Sequence, residues 1–291
     1  MPARQPFTAL CRALAAPPST QRVDLHLHTT FSDGLYSPAQ VVDLGRRSGL
    51  AGLAITDHDT VAGLGPAREA AQGSGLEIIA GVEISAEYQG REFHLLGYFF
   101  RPEDATLQAA LERLRRHRAE RFQEMVERLR RCGVRLDEED LPQHAEYETL
   151  GRRHLAELLV KHQRAGSIRE AFARYLGDEG RATVPKLRLP VAEALALVRQ
   201  AGGVASWAHP GSGCTWEDLA ALGRLGLGAV EAVYPGYRPA QVRRLREWAA
   251  ALGLAVTGGS DCHGPDPLSR TVGACTVTGA ELEQLRHMAS G

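Results

Sequence analysis

Membrane-length apolar runs are absent from this chain. Hydrophobic residues fill 44% of its 291 positions, yet no stretch approaches the roughly 20 needed to cross a bilayer. Cysteine is scarce as well. The five (Cys11, Cys132, Cys214, Cys262 and Cys275) are odd in number, widely spaced and form no CxxC, which argues against a disulfide framework and fits a reducing cytoplasm. Neither sign of charge prevails: 34 basic residues face 35 acidic ones for a net charge of -1. No global basicity draws the chain to nucleic acid, duplex binding is not expected, and an anionic substrate must be held locally. The N-terminus lacks the unbroken apolar core of a signal peptide, because Arg12 interrupts Leu10 to Ala16. Residues 1–21 read as a frayed tail. No heptad seam or symmetric patch assigns an oligomeric state.

What is present is a rhythm of short apolar strands and amphipathic helices. Strands are expected at Val23–Leu27, Leu53–Thr56, Glu77–Glu83 and Phe93–Phe99, with helices at Pro38–Ser48 and Val61–Gly73. The rhythm resumes with helix Val191–Ala201, strand Val204–Trp207, helix Trp216–Leu225, strand Ala229–Val233, helix Pro239–Leu252 and strand Ala255–Gly258. Alternating βα units predict a mainly parallel sheet or barrel. Residues 22–101 and 189–291 form its two parts, separated by residues 102–188. There a long charged helix, Leu107–Cys132, is followed by helical stretches at Arg152–His162 and Ile168–Leu176, and no strand pattern returns before about Ala182–Val184. The segment reads as a small helical insert rising from the barrel rim.

Side chains that can ligate metals gather at or beside the ends of these strands. His26 and His28, two residues apart on a strand, project to one side. Asp33 follows in a tight turn. His58 closes the next strand within Thr56-Asp57-His58-Asp59, polar groups that are costly to bury without a metal or charge partners. Glu83 ends a third strand, and a carboxylate is the natural bridge between two cations. His94 and His209 taken singly are ordinary histidines, although His209-Pro210-Gly211 ends an apolar strand. Asp261 and His263 repeat the two-residue spacing past the last strand, with Cys262 turned the opposite way into packing. Nine such residues exceed what one zinc needs and suit a cluster of two or three divalent ions, the equipment of phosphoester hydrolysis. Their positions match the rim where βα-barrels place their chemistry.

The segments DLHLHTTFSDG, AITDHDT, GVEIS, HLLGY, AHPG and GSDCHG resemble the successive motifs of the polymerase-and-histidinol-phosphatase (PHP) superfamily. Within it the chain is similar to the branch of small phosphoesterases acting on 3′,5′-nucleoside bisphosphates and RNA 5′ ends. LGRRHLAELL and SIREAFARYLGDEGRATVP resemble that branch's cap. The resemblance implies a distorted (β/α)7 barrel with a small helical insert. It also implies two to three ions of manganese, iron or zinc, a set the mixed nitrogen and oxygen ligands fit without choosing among them. Carried over by motif, His26, His28, Glu83 and Asp261 hold the first ion, Glu83, His94 and His209 the second, and Asp33, His58 and His263 the third. Glu83, Asp261 and His209 thereby become the catalytic centre. Arg152, His154 and Arg181 stand where the cap would meet a second phosphate, although Arg153 occupies a position where the branch commonly has proline.

The expected chemistry is in-line attack on phosphorus by a hydroxide bridging two ions, with one of Asp57 and Asp59 orienting a ligand histidine. The expected substrates are nucleoside bisphosphates or short single-stranded RNA. Histidinol phosphate is the enzymatic alternative. A non-catalytic structural PHP module is the other, disfavoured by nine intact ligand positions.

Overall fold

The computed structural model describes residues 20–141, 149–265 and 270–289, so all but the last two residues of the expected N-terminal tail lie outside the described part. The barrel wall uses β1 (Arg22–Asp24), β2 (Gly52–Ile55), β3 (Glu77–Tyr88), β4 (Arg91–Tyr98), β6 (Val204–Trp207), β7 (Ala229–Val233) and β8 (Ala255–Gly258). Two short strands, β5 (Leu189–Pro190) and β9 (Val277–Thr278), pair with β3 and β1. The order around the wall is β8-β7-β6-β4-β3-β2-β1. The chain stays extended beyond β1 and β8, and Leu25 N–H to the Gly258 carbonyl (3.1 Å) and His28 N–H to the Cys262 carbonyl (3.1 Å) close the ring. Helices α1 (Pro38–Arg47), α2 (Leu64–Ala70), α6 (Val191–Gln200), α7 (Trp216–Arg224), α8 (Pro239–Leu252) and α9 (Gly279–Ala289) accompany the wall. Among the described residues no helix is long and apolar enough to cross a membrane.

Two expected features are corrected. β3 does not end at Glu83 but runs on to Tyr88, and β4 returns from it antiparallel, as it is also to β6. The cause is the two-residue turn Gln89-Gly90, with φ of 53° and 74° at its two positions. Paired positive φ values give the hairpin whose twist matches the flanking strands. A reversed β4 brings its N-terminal half to the rim where the other strands end, and this carries His94 to the site. The strand expected near Ala182–Val184 is also absent. Arg121 Nε donates to the Val184 carbonyl at 2.8 Å and the Arg128 guanidinium binds that of Thr183, so side chains take the acceptors a sheet would use.

Between β4 and β5 the chain builds α3 (Ala105–Arg131), α4 (Arg152–Lys161) and α5 (Ile168–Ala171), which widens into a π-helical turn over Phe172–Leu176. Helix α3 starts on the Asp104 carboxylate, which accepts from the N–H groups of Thr106 and Leu107 at 3.1 Å each. Its apolar stripe then serves two cores. Leu107, Leu111 and Leu114 pack with barrel residues such as Val82, Leu95 and Val198. Phe122, Met125, Val126 and Leu129 pack with Leu155, Leu159, Tyr175 and Leu176 of the insert. Arg118 and Arg121 lie between the two stripes, where the helix crosses the barrel rim.

Candidate active site

All nine predicted ligands converge at this rim. His26 and His28 are fully buried with ring centroids 5.2 Å apart, as two residues of one extended strand require. Asp33 sits in a loop folded back by Ser32 and Gly34 N–H bonds to the Thr29 carbonyl. Gly34 is needed there, because a Cβ would lie 2.6 Å from the His28 carbonyl group. His58 follows β2 and bridges to Glu83. In the β3–β4 ladder Glu83 and Ser85 share a face with His94, the register partner of Ser85. His209 and Asp261 leave β6 and β8 with φ of 33° and 50°, a left-handed turn uncommon for residues with a side chain and frequent at functional sites.

The donor atoms form overlapping sets. Nε2 of His26 and of His28 lie 3.4 and 3.2 Å from Glu83 Oε2, and the same distances from Asp261 Oδ1. His94 Nδ1, His209 Nε2 and Glu83 Oε1 form a triangle with sides of 2.8, 3.2 and 3.3 Å. Asp33 Oδ1 lies 3.3 Å from His263 Nε2 and 3.8 Å from both His58 Nε2 and His28 Nδ1. Ligand bonds of about 2.0–2.2 Å at tetrahedral or octahedral angles put neighbouring donors about 2.8–3.6 Å apart, so the distances from Glu83 to His26 and His28 and the His94, His209 and Glu83 triangle match shared cations, Asp261 meets the first only through the two histidines, and the third set is slightly wider. Among the described residues, His28 Nδ1 and Nε2, Asp33 Oδ1 and His58 Nδ1 are buried without a hydrogen-bond partner. Orphaned buried polar atoms of this kind call for an ion. A further group, Asp137, Asp140 and His162 in the insert, already holds Lys161 Nζ on Asp140 at 2.6 Å.

The electrostatics agree. Burial disfavours charge throughout the cluster, yet the surrounding rings of His58, His94 and His26 hold the Glu83 carboxyl well below its usual range. Asp33 and Asp261 are likewise depressed against burial, by His263 and by His26 respectively as the leading charges. For His26, burial is outweighed by Glu231, Asp261 and Glu83, which hold its proton well above the ordinary imidazole range. Burial lowers the His58 imidazole well below its usual range, although Glu83 and Asp33 pull the other way.

The residues that orient the ligands differ from expectation. Neither Asp57 nor Asp59 hydrogen-bonds a ligand histidine. Asp57 accepts from Thr29 N–H, the Thr29 hydroxyl and the Ser32 hydroxyl, each at 2.7 Å, and so fixes the Asp33 loop. Asp59 accepts from Ser85 N–H (2.8 Å) and from Arg118 Nε (2.6 Å), which ties the insert to β3. The orienting carboxylates are Glu231 and Glu92. Glu231 Oε1 meets His26 Nδ1 at 2.9 Å, while its Oε2 accepts the His209 backbone N–H at 2.6 Å. Glu92 Oε1 meets His94 Nε2 at 3.1 Å. Tyr234 OH and Arg270 Nη1 both donate to Asp261 Oδ2 at 2.7 Å, leaving Oδ1 facing the cluster.

The three expected phosphate contacts fare unequally. His154 is buried near Asp33 and Arg118, and its Nδ1 accepts the Gly151 N–H at 3.1 Å. Arg152 donates to Asp178 at 2.9 Å and faces Phe172 at 5.7 Å. Arg181 is exposed, and its carbonyl neighbours Cys132 at the far end of α3, about 20 Å along the helix from Arg118. The structure does not bring Arg181 to the cluster. Cations that the sequence reading missed stand closer: Lys186 and Arg188 reach the two oxygens of Glu92 at 2.9 and 3.0 Å. Burial and then the charges of Arg152, Arg118 and Arg188 lower Arg121 to about 10. Burial and then Arg118 lower Lys186 to about 8.

A barrel with such a cluster at its strand-end rim is built as a metal-dependent hydrolase. Residues 24–175 match the PHP domain, and the chain belongs to that family. It is 33% identical to a 5′-3′ exoribonuclease of Haemophilus influenzae, over 84% of this chain and 91% of that one. It is 34% identical to the phosphoribosyl 1,2-cyclic phosphate 1,2-diphosphodiesterase of Eggerthella lenta (83% and 94% covered) and 30% identical to the 3′,5′-nucleoside bisphosphate phosphatase of Chromobacterium violaceum (86% and 90%). A crystal structure from Bifidobacterium adolescentis, classed as a metal-dependent phosphoesterase, superposes with a TM-score of 0.85 at 31% identity, covering 94% of this chain and 98% of that one. The chain is a phosphoesterase of this family.

Proposed function

We propose that the enzyme hydrolyses phosphate esters of nucleotides carrying a second phosphate: 3′,5′-nucleoside bisphosphates and the 5′ ends of short single-stranded RNA. The observation that carries this reading is the junction of two features. Ligand sets sharing Glu83 and His28 lie beside a group of cations, Arg118, Arg121, Arg152, Lys186 and Arg188, supplied by residues 102–188. In this reading those residues are a cap domain on the barrel formed by residues 22–101 and 189–291.

His26, His28, Glu83 and Asp261 would hold a first divalent ion, and Glu83, His94 and His209 a second. Asp33, His58 and His263, faced also by His28, would hold a third. The donor set suits manganese, iron or zinc. When bound, such ions supply Lewis-acid polarisation of phosphoryl oxygens and make water acidic enough to attack at neutral pH. The chain's own residues position and select. Glu231 and Glu92 hold His26 and His94 in the rotamer and tautomer that turn the opposite nitrogen inward. Arg118, anchored on Asp59, and Lys186 and Arg188, resting on Glu92, offer donors to the second phosphate. Free cysteines and the neutral charge balance support a cytoplasmic enzyme acting on small substrates.

The Eggerthella relative supports a second reading, hydrolysis of a cyclic phosphate diester on the same site. The test is turnover after manganese reconstitution, read as inorganic phosphate from adenosine 3′,5′-bisphosphate and histidinol phosphate, as nucleoside 5′-monophosphate from 5′-phosphorylated short RNA, and as ring-opened monoester from phosphoribosyl 1,2-cyclic phosphate. Fastest turnover of the bisphosphate or RNA is expected. Preference for the cyclic diester would install the second reading, and preference for histidinol phosphate would overturn both.

A further inference from the structure

Beside the ligand set of His94 and His209 a cavity of about 360 Å³ opens between the start of β4 and the loop after β6. Its origin lies in the register. The β4–β6 ladder reaches only to Leu95 opposite Trp207, and Ala208 N–H makes one more bond to the His94 carbonyl. The chain then turns away through the positive φ of His209 and Gly211, so the β3–β4 hairpin projects past the end of β6 and a cleft is left between them. Phe93, buried, stacks on Trp207 at 4.9 Å and 27° and backs the half-buried indole that lines the cleft. Arg91 and Asp218 face each other across the lip at 3.8 Å, beyond hydrogen-bond distance and open to a polar edge. The inner end is His94 and His209 themselves, and Glu92 on the same lining links the cleft to Lys186 and Arg188.

We propose that this cleft seats the planar base of the nucleotide, stacked against the Trp207 wall. The inference rests on the nucleotide reading above and adds where the enzyme discriminates a nucleotide from a bare sugar phosphate. Three observations select that occupant. The cavity shares His94 and His209 with a candidate ion site, so a group seated in it lies beside the phosphate held there. Its volume falls in the range of small-molecule sites. A flat aromatic wall with one donor and one acceptor at its edge suits a base, which stacks regardless of sequence.

The decisive variant is Gly213→Leu. Gly213 lines the cleft, a Cβ there meets no atom within 4 Å and the backbone is not left-handed, so leucine adds bulk at the lining without displacing its frame. The readout is the ratio of kcat/KM for adenosine 3′,5′-bisphosphate over ribose 3,5-bisphosphate, which lacks the base. A wild-type ratio of roughly ten or more is expected, collapsing toward one in Gly213→Leu through KM for the nucleotide. A ratio unchanged by leucine overturns the proposal. If neither compound is hydrolysed, the phosphoesterase assignment to nucleotides fails by itself, and binding decides separately. Adenosine 5′-monophosphate should quench tryptophan fluorescence of the full-length chain and lose that effect in Gly213→Leu. Absence of quenching in the wild type overturns the base site.

Discussion

Glu83 faces one donor set with each oxygen: Oε2 lies 3.2 Å from His28 Nε2, and Oε1 lies 2.8 Å from His94 Nδ1. Replacing it by glutamine keeps the shape but puts an N–H₂ where one set needs an acceptor. Glu83→Gln is therefore expected to remain folded by circular dichroism, bind fewer equivalents of metal and lose at least 100-fold in turnover. Near-normal activity in metal-replete buffer would refute its bridging place. Glu231 makes no approach to the cluster except through His26 and the His209 backbone. Carboxylates that orient ligand histidines contribute about 10–100-fold in metal affinity. Glu231→Gln should weaken metal binding by that amount in a chelator competition while leaving turnover at saturating metal much less affected; an unchanged affinity would reduce Glu231 to a packing residue. The nine candidate ligands were legible because the paired spacing of His26 with His28 and of Asp261 with His263 stands beside expected strands, while Glu83 and His94, which lie inside β3 and β4 between apolar neighbours, were legible only through the motifs GVEIS and HLLGY. Glu231 was missed because AVEAV reads as an ordinary strand. Its one signal is a carboxylate in the middle of an otherwise apolar run, buried on both faces.

The elements that were hardest to read are those whose role depends on direction rather than composition. Alternation of apolar residues marks a strand but not its polarity, so β4 was legible as a strand while its reversal was not. The Gln89-Gly90 pair was the available clue. Helix α3 was visible from its length and charge, yet Arg118 inside that run of arginines looks like any solvated residue. Only the packing of Leu114 on the barrel and Phe122 on the insert turns it inward. The return segment from the insert carries Lys186, 9% exposed, against Glu92. Its pKa, lowered to about 8 by burial first and Arg118 next, makes a pH test possible. The lowered value means that the ammonium charge is present below about pH 8 and lost above it. Affinity for a substrate's second phosphate should accordingly weaken as pH rises from 7 to 9, with KM for adenosine 3′,5′-bisphosphate increasing several-fold more than for a simple monoester. Lys186→Arg keeps the charge throughout this window, since a guanidinium does not titrate there. A parallel KM rise in that variant would assign the pH effect to another group.

For the whole molecule, the barrel is closed by backbone bonds between the extensions of β1 and β8, the same stretches that carry His26, His28, Asp261 and His263. Candidate ligands from both sides of this seam meet at one place, and the carboxylates and rings there are buried or half-buried. Without a cation they must satisfy one another or keep protons, and several atoms find no partner. A bound ion should therefore act on the fold and not only on the reaction. Anything that binds the native state alone stabilises it by about 4 kcal/mol at a thousand times its dissociation constant. For a chain of this size that corresponds to a rise in Tm of roughly 5–10 °C. The chelated enzyme should melt lower by this amount and recover stepwise as manganese, zinc or iron(II) is added. The rank order of recovery would identify the ion with highest affinity independently of activity. Hydrogen exchange should show the loss concentrated in residues 25–28 and 258–263, since those segments hold ligands on both sides of the seam. The insert core around Phe122, Leu155 and Leu176 has its own packing and should be protected to the same degree with and without metal. Uniform loss of protection across the insert would mean that the candidate ion site and residues 102–188 fold as one cooperative unit through Arg118 and Asp59.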